Sequence, residues 1–148
     1  MTNRLLGQKI HLDANVFIYA VEGDAQFAQP ARMLLSMIEA GSTVAYTSEF
    51  TLAELLVLPV RQGNRKLVGD YEGLFGGETA LAVCPVMRSV LKAAAEIRAL
   101  TKQNLPDCIH AATSVLSGCK LVVSQDQGLK APGLTSILLS DIKAGSNP

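Results

Sequence analysis

The sequence is poor in residues that form cross-links or reactive thiol sites. It contains no tryptophan and three cysteines, Cys84, Cys108 and Cys119. Their number is odd, they lie far apart, and apolar or small residues surround them, so they predict neither a disulfide framework nor a CxxC metal or redox site. We interpret all three as thiols of the hydrophobic core.

Long hydrophobic runs are also missing. Although 49% of the 148 residues are apolar and the mean hydropathy is +0.27, no apolar run approaches the roughly 18 residues that a membrane-spanning helix requires. The segment from Met1 to Gly7 has one basic residue and too short an apolar stretch for a signal peptide. We therefore expect a cytoplasmic protein with no membrane association.

An excess of one charge sign is absent as well. The chain has 13 basic and 13 acidic residues, which argues against a protein that coats nucleic acid. It also lacks the GxSxG, GxGxxG and GxxxxGKS/T motifs of triad hydrolases, dinucleotide-binding enzymes and P-loop enzymes. The two histidines, His11 and His110, lie in apolar or alanine-rich surroundings, and we interpret them as structural.

The sequence does contain a regular alternation of strand and helix patterns. Short apolar or β-branched runs predict strands at residues 10–13, 43–47, 80–83, 120–124 and 135–138. Apolar residues at helical spacing predict helices at residues 16–21, 30–40, 48–58, 62–75, 86–101 and 106–117. Pro59 is expected to stop or kink the third of these helices. The alternation predicts one α/β domain, a parallel sheet with helices on both faces.

Polar residues interrupt the first apolar run where the predicted strand ends. Asp13 follows this strand and Asn15 comes two residues later. Open α/β sheets bind ligands at the carboxyl ends of their strands, so both side chains are candidates for a functional site. The alternative is that either residue merely caps the next helix.

Glu54 lies on a predicted helix among neighbours that are mostly apolar. Its neighbours three and four positions away are Phe50, Thr51, Val57 and Leu58. We therefore expect Glu54 to point into a partly buried crevice, where an unpaired charge is costly. It would pair either with a buried Arg or Lys or with a metal ion.

Two further acids have both a functional and a structural explanation. Asp107 lies in the first turn of a predicted helix, where the helix dipole alone stabilises a carboxylate. Asp126 follows the strand at residues 120–124, and an Asx turn towards Gly128 would explain it equally well.

Three acids nevertheless map to one edge of the predicted sheet, and Glu54 occupies an apolar helix face. Since two carboxylates about 4 Å apart repel by roughly 4 kcal/mol at an effective dielectric constant near 20, such a cluster requires a cation. Oxygen ligands select hard ions such as Mg²⁺ or Mn²⁺.

Four sequence blocks resemble the PIN domain family and, within it, the VapC-type toxin ribonucleases. The blocks are LDANVFIY with Asp13 and Asn15, TSEFTLAELL with Glu54, LPDCIHAATSV with Asp107, and LVVSQD with Ser124 and Asp126. The resemblance covers roughly residues 8–139. It implies a single PIN-like domain spanning residues 1–148, with a core at about 8–139 and a tail at 140–148. The implied fold is a parallel sheet of about five strands wound with helices.

The resemblance also implies an activity, a site and partners. The activity would be cleavage of RNA by an endoribonuclease that depends on Mg²⁺ or Mn²⁺. Catalysis and metal binding would fall to Asp13, Glu54, Asp107 and Asp126, with Asn15 and Ser124 as polar supports. An antitoxin protein would block the site, and the chain would form a homodimer.

The residues themselves leave a noncatalytic protein open. An α/β module could bind a divalent ion as a signalling element, as phosphoacceptor receiver domains do. His11 and Leu12, however, occupy the positions before Asp13 where a receiver domain needs a second acid. A PIN-like scaffold that binds RNA without cleaving it is a further alternative.

Overall fold

A computed structural model describes residues 2–126 and 128–142. Its centre is a parallel five-stranded sheet in the order β3-β2-β1-β4-β5. The strands are β1 (Lys9–Leu12), β2 (Val44–Ser48), β3 (Ala82–Cys84), β4 (Leu121–Ser124) and β5 (Thr135–Leu138). The predicted fold class is therefore confirmed, and each predicted strand is present with its ends shifted by at most two residues.

Helices connect the strands and cover the sheet. They are α1 (Thr2–Leu5), α2 (Ala14–Glu22), α3 (Ala28–Glu39), α4 (Glu49–Arg61), α5 (Arg65–Leu74), α6 (Arg88–Thr101) and α7 (Leu105–Leu116), followed by a 3-10 turn at Leu139–Asp141. The sequence did not predict α1 or the 3-10 turn, because elements this short have too few residues for a periodic pattern. None of the helices in the described part of the chain is both long and apolar enough to cross a membrane.

Successive residues of β4 pack into the hydrophobic clusters on opposite faces of the sheet. Leu121 and Val123 of β4 contribute to the cluster beneath α2, α3, α4 and α5. Val122, between them, packs with α6 and α7 on the other face. The strand is buried throughout, because helices cover both faces, as is usual for parallel sheets.

The strand order creates a switch point between β1 and β4. The chain builds β2 and β3 on one side of β1 and then crosses to place β4 and β5 on the other. His11 of β1 pairs in register with Val122 of β4. In open α/β sheets the crevice outside the carboxyl ends of two such strands is the usual ligand site.

Three details differ from the predicted helices and tail. Helix α2 begins at Ala14 rather than residue 16, because Asp13 caps it directly. Helix α4 continues through Pro59, which is buried, to Arg61. Of the two effects predicted for Pro59, stopping the helix is therefore wrong, whereas a kink stays a prediction. Within the predicted tail, Ile142 is 2% exposed, whereas residues 143–148 lie outside the described residues.

Candidate active site

Asp13 lies where β1 ends and α2 begins. Its backbone N–H donates to the carbonyl of Val123 at 3.1 Å, which extends the pairing of β1 with β4. Its Oδ1 accepts a hydrogen bond from the Ala14 N–H at 2.8 Å, and its Oδ2 accepts one from the Ser124 hydroxyl at 2.8 Å. Asp13 thus caps α2, as the structural explanation predicted. The same carboxylate also contacts Ser124 at the end of β4.

Ser124 and Asn15 hold the chain beside Asp13. Ser124 is buried, and its hydroxyl oxygen accepts hydrogen bonds from Asn15 Nδ2 at 3.3 Å and from the Asp126 N–H at 3.1 Å. Asn15 Oδ1 accepts from the Gln125 N–H at 3.4 Å. The two residues predicted as polar supports therefore link the ends of β1 and β4.

Asp107 is held in the first turn of α7. Asn104 caps this helix, and its Oδ1 accepts a hydrogen bond from the Asp107 N–H at 2.9 Å. Burial raises the pKa of the half-buried Asp107 carboxyl above its ordinary value, and the negative charge of Asp13 raises it further. Glu54 adds to this increase, whereas His110 opposes it. Asp13 is therefore close enough to Asp107 to make the negative charge of Asp107 costly.

Three of the predicted acids line one pocket of about 340 Å³. Its walls comprise Asp13, Gln103, Asp107, Asp126, Gly128, Leu129 and Lys130. The pocket lies at the switch point, since Asp13 follows β1 and Asp126 follows β4. Gln103 and Lys130 had no signal in the sequence, because both lie in connecting segments without a periodic pattern.

Glu54 does not line this pocket. Its Oε1 lies 2.6 Å from Nε2 of His110, and 37% of its side chain is exposed. Val57 and Leu58 are 54% and 50% exposed, so the apolar neighbours on which the prediction of a partly buried crevice rested do not bury Glu54; its contact with the buried His110 does so in part. Helix α4 buries Thr51, Leu55 and Pro59, which leaves the side carrying Glu54 open to solvent. Its observed partner is a histidine rather than an Arg or Lys.

The sequence did not predict the contact between His110 and Glu54 beside the site. His110 is 2% exposed, packs edge-on against Phe50, and lies 6.0 Å from the ring of His11. Because it follows Asp107 by three positions on α7, the two residues share one side of the helix. That spacing was readable from the sequence, but the alanine-rich surroundings favoured a structural interpretation.

The chemistry of the pocket residues fits a hard cation. Their carboxylates form an oxygen-only donor set. Burial is the main cause of the raised pKa of Asp107, and repulsion by the negative charges of Asp13 and Glu54 adds to it. A divalent ion would relieve that repulsion. Among residues 2–126 and 128–142, however, no three His, Cys, Asp or Glu side chains are grouped closely enough to hold a metal ion as they stand.

The PIN domain model matches residues 10–133. This chain belongs to the PIN domain family. The match confirms the resemblance seen in the four sequence blocks, and it covers all four acids, Asp13, Glu54, Asp107 and Asp126. No curated protein matches the chain at a significant level.

Solved structures share this PIN fold at low sequence identity. VapBC2 from Rickettsia felis, bound to a DNA fragment from its promoter, is 14% identical with a TM-score of 0.65, covering 88% of this chain and 98% of that chain. A toxin-antitoxin complex from Klebsiella pneumoniae is 18% identical with a TM-score of 0.59, covering 85% and 95%. VapC20 from Mycobacterium tuberculosis, described as a Sarcin-Ricin loop cleaving toxin, is 18% identical with a TM-score of 0.60, covering 84% and 92%. At these identities the likeness shows the fold alone.

Proposed function

We propose that this PIN domain is a metal-dependent endoribonuclease and the toxin of a toxin-antitoxin pair. The observation that carries the proposal is the convergence of Asp13, Asp107 and Asp126 on one pocket at the switch point of the sheet. These residues are 94 and 19 positions apart along the chain, so only the fold brings them together. Membership in the PIN family supports a nuclease at the level of the family.

In this proposal Asp13, Asp107 and Asp126 would hold Mg²⁺ or Mn²⁺, with Glu54 as the fourth acid beside them. The bound ion would supply an activated water and would stabilise charge on the phosphodiester oxygens. The protein's own contribution begins with orientation, because Ser124 and Ala14 each hold one oxygen of Asp13. A fixed carboxylate loses little further freedom when ligand or substrate arrives.

Asp126 and Asp107 have different environments, which suits them for different roles. Asp126 is exposed, and its backbone is tied to Ser124; in addition to its place in the metal site, we assign it the positioning or deprotonation of the attacking water. Asp107 is half-buried with a raised pKa, and we assign it to metal binding together with Asp13. Asn15 and Ser124 remain supports.

The proposed partners are RNA, an antitoxin protein and a second copy of the chain. Support for the antitoxin comes from fold neighbours that are toxin-antitoxin complexes. Support for cleavage of RNA comes from a neighbour described as a Sarcin-Ricin loop cleaving toxin. Such a role places the protein in the cytoplasm, with its substrates.

The proposal is tested by incubating the protein with structured and unstructured RNAs in Mg²⁺ or Mn²⁺, with and without chelator. We expect cleavage that chelator abolishes and that Asp13→Ala reduces at least a hundredfold. Cleavage that is indifferent to both changes would exclude this mechanism. Retention of RNA without single-turnover cleavage would identify the chain as an RNA-binding scaffold instead.

A further inference from the structure

A basic residue stands at the rim of the acidic pocket. Gly128, Leu129 and Lys130 line the pocket together with the three aspartates. Among the described lining residues, Lys130 is the one that carries a positive charge. Its side chain is exposed, so its ammonium group is accessible from solvent.

The backbone of Lys130 is held on two sides. Gln103 Nε2 donates a hydrogen bond to the Lys130 carbonyl at 2.6 Å, and the Lys130 N–H donates to Gln103 Oε1 at 3.2 Å. The preceding residue, Leu129, is 4% exposed and packs with the core beside α6 and α7. These contacts fix the backbone of Lys130 and leave only its side chain free to move.

Gln103 is itself positioned by the connection between α6 and α7. Lys102 adopts a left-handed conformation with φ of 62° and ends α6. The Gln103 side-chain amide then lies 3.3 Å from the Thr101 hydroxyl, while that hydroxyl donates to the Ile97 carbonyl at 2.8 Å. The two-point contact between Gln103 and Lys130, which we call the amide clamp, is therefore anchored to α6.

A positive group beside the pocket would reduce the repulsion between its carboxylates and an RNA substrate. An RNA strand is a polyanion, and three carboxylates line the pocket that its phosphates would approach. In the described part of the chain, the contacts between a basic and an acidic side chain are Lys66–Asp70 and His110–Glu54. Lys130 is in neither pair, so no partner among the described residues neutralises its ammonium group.

We propose that Lys130 binds a backbone phosphate of single-stranded RNA at the rim of the pocket, and that Gln103 is a positioning residue that holds Lys130 there. This inference rests on the proposed ribonuclease function. Lysine acts as a compact charge on a flexible stem, which suits a phosphate whose exact position varies with sequence. The contact would contribute to affinity uniformly across RNA sequences, because a phosphate carries no base identity.

The test compares wild type, Lys130→Gln, Lys130→Arg and Lys120→Gln. Binding of a fluorescent single-stranded RNA is measured by anisotropy in Ca²⁺ at several salt concentrations, and single-turnover cleavage is measured in Mn²⁺. Lys120 is the matched control, because it is an exposed lysine that precedes β4 and so lies at the opposite edge of the sheet from the pocket.

We expect Lys130→Gln to weaken RNA binding about 1.5- to fivefold, the range for one exposed charge contact. The slope of log affinity against log salt should become shallower by about 0.7, the value for one phosphate contact on a single strand. The half-saturating protein concentration in cleavage should rise, with the maximal rate unchanged. Lys130→Arg and Lys120→Gln should keep the wild-type salt slope.

Wild-type affinity and salt slope in Lys130→Gln would overturn the inference while leaving the ribonuclease function intact. A wild-type protein that binds RNA through Lys130 but cleaves nothing would instead remove the proposed function. A wild-type protein that neither binds nor cleaves RNA would overturn both the inference and the proposed function.

The amide clamp is tested separately with Gln103→Ala. This variant keeps the charge of Lys130, so we expect about a twofold rise in the half-saturating concentration with an unchanged salt slope. A change in thermal stability without any change in that concentration would mean that Gln103 is only structural.

Discussion

At the scale of single residues, the Ser124 hydroxyl decides how Asp13 is presented. A hydroxyl has one proton and two lone pairs. Both Asn15 and the Asp126 backbone donate to this oxygen, at 3.3 and 3.1 Å. The single proton is therefore directed to Asp13 Oδ2, at 2.8 Å. A neutral group thus fixes the Asp13 carboxylate without cancelling the charge that a metal ion would need.

His110 should matter for the orientation of Glu54. Because a carboxylate can only accept, the Nε2–H group of His110 donates to Glu54 Oε1 at 2.6 Å. We expect His110→Ala to lower the maximal cleavage rate about tenfold with little change in the half-saturating concentration. His110→Gln, which keeps an N–H donor at a similar reach, should recover part of the rate. Equal losses in the two variants, or losses that follow their unfolding free energies, would argue against this role.

His11 presents the opposite situation, a buried ring without a partner. It is fully buried, and neither ring nitrogen has a hydrogen-bond partner among the described residues. Burial lowers the pKa of His11 to about 3, so the ring is neutral at pH 7. A buried polar group without a partner costs about 1 to 3 kcal/mol. We therefore expect His11→Leu to raise the free energy of unfolding by about 1 to 2 kcal/mol in urea denaturation.

The control for this prediction is His11→Gln, which keeps polar atoms at the same position. It should give no gain in stability. A loss of stability in His11→Leu would show that the ring nitrogens are satisfied in solution, for example by buried water.

At the scale of elements, the cap of α7 links stability to the site. Asn104 accepts a hydrogen bond from the N–H of Asp107 at 2.9 Å. Asn64 caps α5 in the same way, accepting from the Leu67 N–H at 3.1 Å. Replacing either asparagine with alanine should cost about 1 kcal/mol of stability. Cleavage should fall several-fold only in Asn104→Ala, because only that cap fixes a pocket carboxylate. Equal activity of the two variants at a temperature where both are folded would refute the link.

The orientation of α4 shows where reasoning from the sequence reaches its limit. This helix carries apolar residues all round, including Leu52, Leu55, Leu56, Val57 and Leu58. An apolar pattern without a polar side does not reveal which side is buried. The sequence therefore identified the helix and its acid, Glu54, but not which neighbours bury that acid, since Val57 and Leu58 are exposed. Its partner His110 comes from another helix, and no local pattern connects the two.

The strands were predictable because their local sequence pattern, unlike that of α4, is distinctive. Short runs such as Leu121–Ser124 are apolar or β-branched and are bounded by turn residues, a pattern that few other structures share. Their order in the sheet was not readable, because pairing depends on contacts far apart along the chain. The acids at the ends of β1 and β4 could be assigned to one edge, but Lys130 and Gln103 entered the site only through the fold.

At the scale of the whole molecule, binding of a cation should stabilise the folded state. A ligand at a hundredfold excess over its Kd adds about 2.7 kcal/mol to the free energy of unfolding. We expect Mg²⁺ to raise the Tm of wild type and to have little effect on Asp13→Asn, measured by differential scanning calorimetry with chelator as the reference. Asp24→Asn is the matched control, because Asp24 also accepts backbone hydrogen bonds, from Gln26 and Phe27, but does not line the pocket.

This experiment distinguishes an Asp13 that binds a metal ion from one that only caps α2. Asparagine caps a helix about as well as aspartate, so a purely structural Asp13 predicts the same response to Mg²⁺ in all three proteins. That result would remove Asp13 from the proposed metal site. A response lost in Asp13→Asn and kept in Asp24→Asn would support the site.

The position of β4 between β1 and β5 determines when the pocket can be completed during synthesis of the chain. Asp13 precedes Asp107 and Asp126 along the chain, and these two join it only after α7 and β4 have been added. Closing such a long loop is a late step, because chain entropy is lost before its contacts form. A nascent chain still attached to the ribosome therefore lacks a complete pocket until β4 and Asp126 have been made. Under the proposed function, a protein that cuts RNA would be harmless to the RNA that encodes it until this segment has been added.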